Sequence, residues 1–310
     1  MSMTGKRGVA LRLEGVSKTF GTHTAVRCLS LEVPAGAIYG FIGPNGSGKT
    51  TTLRMILHIV LPDAGVVEVL GARGTRSAND RLGYLPEERG LYRKMSVRRV
   101  LAYQAALKGM GCAAARESID HWLGRMGLAA WADHKVEALS KGMAQKIQFI
   151  AAVVAKPELL ILDEPFSGLD PVNLDVLREA ILDLARQGTT ILFSTHDMAM
   201  AEQMCDFIFM IHKGRKVLDG TLTAIQSQHG ADRVRVRVEG GAAALHGLEG
   251  AQVIRDLGQM QELHCAGDPQ ELLRALVARA RVHQFEISKP SLHDIFVSIA
   301  RPDSAEGGHA

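Results

Sequence analysis

A chain of 310 residues is about two domains long at roughly 150 residues each, and at that size a hydrophobic core forms without disulfide staples. The composition, 46% hydrophobic and 22% charged, excludes an intrinsically disordered polymer. Lys and Arg number 36 against 33 Asp and Glu, a net charge of +3, so charge alone gives no support to a nucleic-acid partner.

From Val9 to about Asp219, short β-type runs alternate with helical patterns, which predicts an α/β fold around a largely parallel sheet. Ala37 to Ile42 reads as a buried strand entering a glycine-rich loop. A helical insertion follows at about 90–156, where Ser96 is placed to cap Val97 to Lys108 and a further helix runs near Ala115 to Met126. Leu159 to Leu162 is an apolar strand that ends at Asp163 and Glu164. Asp170 and Pro171 have the chemistry of an N-cap and first-turn proline for a helix through Ala185. Thr190 to Ser194 is the next strand, and Asp197 caps the helix that continues to Met204. Phe207 to Ile211 then turns through His212, Lys213 and Gly214 onto Lys216 to Leu218 as a hairpin.

Near Gly220 the pattern changes. Val234, Val236 and Val238 alternate with Arg233, Arg235 and Arg237 as in a half-buried strand. Weaker strands at Gln252 to Leu257 and Val282 to Ile287, a helix over Pro269 to Arg279 and an amphipathic helix over Ser291 to Ala300 predict a small α/β accessory domain at 221–301. The preceding domain then occupies 1–220, and the small, polar tail at 302–310 is expected to be disordered.

The four cysteines, Cys28, Cys112, Cys205 and Cys265, lie far apart with no Cys-x-x-Cys pair, which predicts reduced, mostly buried thiols rather than a zinc site or disulfide framework. The longest apolar run, Phe149 to Ala155, has seven residues against the roughly 20 of a spanning helix. No apolar stretch of signal-peptide type follows Met1 to Arg7, so a cytoplasmic protein is expected.

Gly43-Pro44-Asn45-Gly46-Ser47-Gly48-Lys49-Thr50 fits G-x-x-x-x-G-K-[ST] between a predicted strand and a helix, the context that motif demands. Its glycines let successive backbone N–H groups point inward as a nest, and the helix N-terminus adds positive potential. Lys49 is placed to reach β- and γ-phosphates, the Thr50 hydroxyl to ligate Mg²⁺, and Thr51 follows on the same turn. This loop does not by itself separate an ATPase from a kinase or a GTPase. Asp163 and Glu164 stand at the C-terminal end of a strand, where open α/β sheets bind ligands. Asp163 is positioned to hold Mg²⁺ through water, and Glu164, with no partner evident in the sequence, to accept a proton from an attacking water. His196, on the predicted neighbouring strand, is placed to hydrogen-bond the γ-phosphate or that water.

Leu139-Ser140-Lys141-Gly142-Met143 precedes Asp163 by a helix's length, and here the chain resembles the ATP-binding cassette (ABC) family, whose signature is Leu-Ser-Gly-Gly-Gln before a helix. Leu139, Ser140 and Gly142 match; Lys141 and Met143 replace a Gly and a Gln. The resemblance also covers the loop at Gly43 to Thr50, Asp163 and Glu164, Ser167 to Asp170 as the D-loop, and His196 as the switch histidine. Phe20 stands where the family stacks an aromatic ring on adenine, and Glu87 where it usually has Gln. The runs Gly83 to Tyr92, Leu139 to Met143 and Pro290 to Phe296 are similar to the NatA-like sodium-export branch of prokaryotic ABC ATPases.

The resemblance implies a P-loop NTPase cassette with a helical insertion, using ATP and Mg²⁺. It implies a two-fold dimer in which Ser140, Lys141, Gly142 and Met143 of one cassette face the phosphate loop of another, as a homodimer or with a partner cassette. It further implies integral membrane permease subunits, with no nucleic acid, and a place on the inner face of the cell membrane. Arg89, Arg93, Lys94, Arg98 and Arg99 form a basic run that is either a solvated face or a docking surface for a coupling helix or anionic lipid. The rival classes are a soluble ABC ATPase acting on nucleic acid or the ribosome, and a non-catalytic regulatory module. A single cassette without coiled-coil heptads or basic excess argues against the first; Lys49, Asp163, Glu164 and His196 argue against the second.

Overall fold

The computed structural model describes residues 8–73, 78–88, 90–229, 233–248 and 250–300. The chain divides into two compact units, Met1–Gly220 and Thr221–Ala310. The tail expected to be disordered and Arg89 lie outside the described residues.

The first unit runs β1 (Val9–Phe20), β2 (His23–Pro34), β3 (Ile38–Ile42), α1 (Lys49–Ile56), β4 (Ala64–Val69), β5 (Ala72–Arg73) and β6 (Leu82–Leu85). It continues through α2 (Val97–Leu107), α3 (Cys112–Arg125), α4 (Lys141–Val153), β7 (Leu159–Asp163), α5 (Pro171–Arg186), β8 (Thr190–Thr195), α6 (Met198–Met204), β9 (Phe207–His212) and β10 (Arg215–Thr221). Six strands form one sheet in the order β10-β9-β3-β8-β7-β6, parallel from β9 through to β6. Lys213 and Gly214, both at positive φ, make the tight turn from β9 to β10. The largely parallel sheet is only part of the architecture, because β2-β1-β4-β5 form a second, antiparallel sheet.

Strand β7 shows why the two sheets coexist. Its side chains alternate between faces, yet Leu159, Leu160, Ile161 and Leu162 are all buried. Leu159 and Ile161 join a core with Leu11 and Leu13 of β1, Leu29 and Leu31 of β2, and Leu53 and Ile56 of α1. Leu160 and Leu162 join another with Leu101 of α2, Ile119 of α3, Ile150 of α4 and Ile181 of α5. A strand buried on both faces reads as an unbroken apolar run.

Three helix starts follow from side-chain caps: Ser140 accepts from Met143 N, Asp170 from Asn173 N and Asp197 from Met200 N. Ser96 departs from expectation. It precedes α2, but its side chain makes no cap hydrogen bond and its backbone bridges Lys135 instead. The cysteines also differ: all four are free, but Cys28 and Cys112 are exposed, Cys205 is half-buried and only Cys265 is buried. Cys28 and Cys112 sit on outward positions of β2 and at the start of α3.

The second unit contains α7 (Leu222–Gln228), β11 (Arg233–Val238), β12 (Ala251–Asp256), β13 (Gln261–Cys265), α8 (Pro269–Arg279), β14 (Val282–Ser288) and α9 (Leu292–Ala300). Its antiparallel sheet has the order β12-β13-β11-β14. Val234, Val236 and Val238 pack with Leu263, Leu272 and Leu276, while Arg235 on the other face pairs with the buried Glu262. Strand β13 has no counterpart in the sequence reading, because Gln261 and Glu262 make it look polar although both are buried.

Candidate functional site

The loop after β3 is built by backbone conformation. Gly46 and Gly48 take positive φ of 76° and 110°, and a Cβ on Gly48 would lie 2.6 Å from the Ala25 carbonyl oxygen. Helix α1 begins at Lys49 with Gly48 as N-cap, no side-chain cap and no acid in its first turn. Its leading N–H groups and positive end are thus left for an anion. Lys49 is buried and its Nζ donates to the carbonyls of Gly43, 2.6 Å, and Pro44, 3.2 Å. Burial lowers its ammonium below the usual lysine range, against the opposing pull of Glu164, Asp163 and Glu87.

A cleft of about 240 Å³ gathers residues far apart in sequence: Phe20, His23, Ala25, Asn45, Gly46, Gly48, Lys49, Thr50, Thr51, Glu87, Asp163 and Glu164. The carboxylates arrive at the ends of β6 and β7, which pair in parallel. Asp163 is 2% exposed. Burial pushes its carboxyl up to about 6, Ser194 and Lys49 working against that rise and Glu87 and Glu164 adding to it. Phe20 is exposed, with the Lys18 ammonium 5.5 Å from its ring centre.

Glu164 is not unpaired as the sequence suggests. Its Oε1 accepts from the His196 backbone N–H at 2.8 Å and lies 2.7 Å from His196 Nδ1, and Thr195 Oγ1 donates to Oε2 at 3.1 Å. The parallel pairing of β7 with β8 puts Asp163 beside Ser194 and so brings these residues together. His196 accordingly reaches Glu164 and does not line the cleft. Glu164 also holds a left-handed backbone, φ 48°, a sparsely populated conformation for a non-glycine residue.

The signature residues do not line this cleft. Ser140, exposed, caps α4 by accepting from Met143 N at 3.3 Å, so the Met143 amide is committed while the Ser140 hydroxyl proton stays available to donate. They lie instead beside the D-loop of their own chain: a Cβ on Gly168 would sit 2.6 Å from Lys141 Nζ, and one on Gly142 would sit 3.6 Å from Asn173. Asp170 caps α5 there. Within the basic run, Arg98 pairs with Asp120 at 2.6 Å, so it is not a bare cation. A larger cleft of about 620 Å³, lined by Ser118, Trp122, Glu158 and Thr189, lies where β7 and β8 begin and contains none of the motif residues.

The sequence alone assigns no functional role to His23, Thr195 or Gln148. His23 faces Phe20 across the β1–β2 turn. Gln148 donates to the Pro86 and Glu88 carbonyls around Glu87.

The family model described as ABC transporter matches residues 26–167, and one described as ATP-binding protein DrrA1-3-like, C-terminal domain, matches 220–300. The uncharacterized ABC transporter ATP-binding protein YhaQ of Bacillus subtilis (strain 168) is 42% identical over 93% of this chain and 97% of its own. This chain belongs to the ABC transporter ATP-binding subunit family. It is an ATPase of a nucleotide-binding family. The Nod factor export ATP-binding protein I of Rhizobium sp. (strain N33) is 35% identical over 94% of this chain and 97% of its own. Among solved structures, one described as the ATP-binding subunit of an ABC transporter superposes with a TM-score of 0.68 at 31% identity, covering 71% of this chain and 93% of the other.

Proposed function

We propose that this ATPase powers an exporter by closing and opening as a homodimer with integral membrane permease subunits on the inner face of the cell membrane. Similarity to Nod factor export ATP-binding proteins supports export, and the runs around Glu87, Ser140 and Pro290 support the finer placement in the NatA-like branch. Among the described residues no helix is long and apolar enough to cross a membrane.

One observation carries the dimer: Lys49, Thr50, Asp163 and Glu164 share a cleft, whereas Ser140 of the same chain is exposed elsewhere. A second copy brings its own Ser140 and α4 N-terminus to that cleft, completing the set of donors around a γ-phosphate. Phe20 offers its face to the base, and Asn45 to Thr51 offer the nest and the Lys49 charge to the phosphates.

Three carboxylates around one lysine, with burial opposing the charge on Asp163, make a hard-oxygen cleft that calls for a further cation. Thr50, and Asp163 through water, would hold Mg²⁺, which when bound neutralises charge on the β- and γ-phosphate oxygens. Glu164 takes the proton of the attacking water. His196 and Thr195 hold that carboxylate in place. Loss of the bridging γ-phosphate removes charge-assisted contacts between the copies and lets them part.

The test is to isolate the protein from native membranes under mild detergent and identify its companions. Co-isolation of an integral membrane polypeptide that stimulates ATP turnover is the expected result. Ribosomes or nucleic acid in its place would transfer the protein to the soluble class.

A further inference from the structure

Helix α4 carries Gln145 and Gln148 three residues apart, hence on one face. Both are buried, at 4% and 5% exposure. Gln145 Nε2 donates to the Pro165 carbonyl at 3.0 Å, one residue beyond Glu164. Gln148 Nε2 donates to the Pro86 carbonyl at 3.2 Å and the Glu88 carbonyl at 3.0 Å, the carbonyls of the residues before and after Glu87. The helix whose capped end carries Ser140 therefore grips the backbone beside two of the three carboxylates in its own cleft.

Stability gives a poor account of Gln148. Its Oε1 is buried with no hydrogen-bond partner among the described residues, and an unsatisfied buried acceptor carries a desolvation penalty that an apolar side chain of equal length avoids. What the amide does is geometric. Two N–H donations from one nitrogen hold the carbonyls flanking Glu87 at a fixed separation, and with them the direction from which Glu87 enters the cleft.

We propose that Gln148 is a positioning residue that fixes the Glu87 turn to the signature helix, so that an acid lining the cis cleft is held by the element a second copy engages in trans. Its consequence for metal use rests on the reading above of the cleft as a Mg²⁺–nucleotide site.

The experiment compares the full-length protein with Gln148→Met, unbranched and lacking a donor, by hydrogen–deuterium exchange and by Mg²⁺ titration of fluorescent ATP-analogue binding. Amides at Glu87 and Glu88 should exchange about tenfold faster with the melting temperature little changed, and the Mg²⁺ needed for half-maximal binding should rise about tenfold. That rise should vanish when Glu87→Ala is already present, because the effect passes through Glu87. Unchanged exchange at 87–88 overturns the proposal. Faster exchange with a Mg²⁺ dependence that neither Gln148→Met nor Glu87→Ala alters upholds the positioning and removes only the assignment of Glu87 to the metal-facing set. Should Gln148→Met fail to fold, Gln148→Glu, which keeps length but loses the donor when ionised, is read by the same exchange measurement.

Discussion

At Asp163 the cost of assembling the site is visible in a single group. Its carboxyl is raised from 3.8 to about 6 chiefly by burial, so the folded, nucleotide-free protein holds its proton more tightly than the unfolded chain between those values. The favourable contribution of the protonated form is complete below 3.8 and is lost as pH rises through about 6. Asp163→Asn should therefore raise the stability of the nucleotide-free protein at pH 7.5 by on the order of 2–3 kcal/mol. The gain should shrink as the pH is lowered from 6 toward 4, read from urea melts across that range; a pH-independent gain would detach it from this carboxyl. Turnover should fall in the same variant. Glu164→Gln keeps the bond from the His196 N–H but loses proton affinity, so ATP binding should persist while steady-state turnover drops by about 10²–10⁴-fold. Near-normal turnover would remove Glu164 as the base. Lys49→Ala should weaken equilibrium ATP binding by on the order of 100-fold, since a charge-assisted contact to phosphate is lost, and unaltered affinity would defeat the loop assignment.

Among the elements, the phosphate loop shows how neighbouring glycines differ in what they do. Gly46 and Gly48 both have positive φ, but a Cβ on Gly46 meets nothing within 4 Å, whereas one on Gly48 strikes the Ala25 carbonyl oxygen of β2. Gly46→Ala should cost about 1–2 kcal/mol of backbone strain and retain measurable binding of ATP. Gly48→Ala forces β2 and the loop apart, so its melting temperature and ATP affinity should fall much further, as measured by calorimetry and nucleotide titration. Equal losses would show that φ alone governs both positions. Gly48 is thus where the antiparallel sheet touches the nucleotide loop, a link between two elements that sequence distance conceals.

For the whole molecule, the proposed division of the donors between two copies has a strict consequence. A Ser140→Arg copy retains its own cleft, and a Lys49→Ala copy retains its own signature helix. Each variant alone should be nearly inactive, but mixed and reassembled chains contain one complete interface and should recover part of the turnover. Recovery absent from a mixture in which capture through a tag on one variant co-purifies the other would count against shared sites. The same geometry predicts that Glu164→Gln with Mg²⁺ and ATP elutes as a dimer and returns to monomer in ADP, since closure depends on the γ-phosphate.

The sequence by itself determined what is local. The glycine spacing and lysine of the phosphate loop, the apolar run ending in Asp163 and Glu164, the Asp170–Pro171 and Asp197 helix starts, and the valine alternation of β11 are written in consecutive residues whose conformational preferences act within a few positions. Tertiary structure alone decided what depends on strand pairing and burial. Glu164 gained His196 and Thr195 because β7 and β8 lie parallel in one register. The antiparallel sheet over the phosphate loop, and β13 with its buried polar residues, arise from pairing with strands distant in the chain. Gln148 found Glu87 because α4 folds back against β6. Such contacts have no period along the sequence; they exist because close packing brings remote backbone groups within hydrogen-bond reach and leaves few of them unpaired.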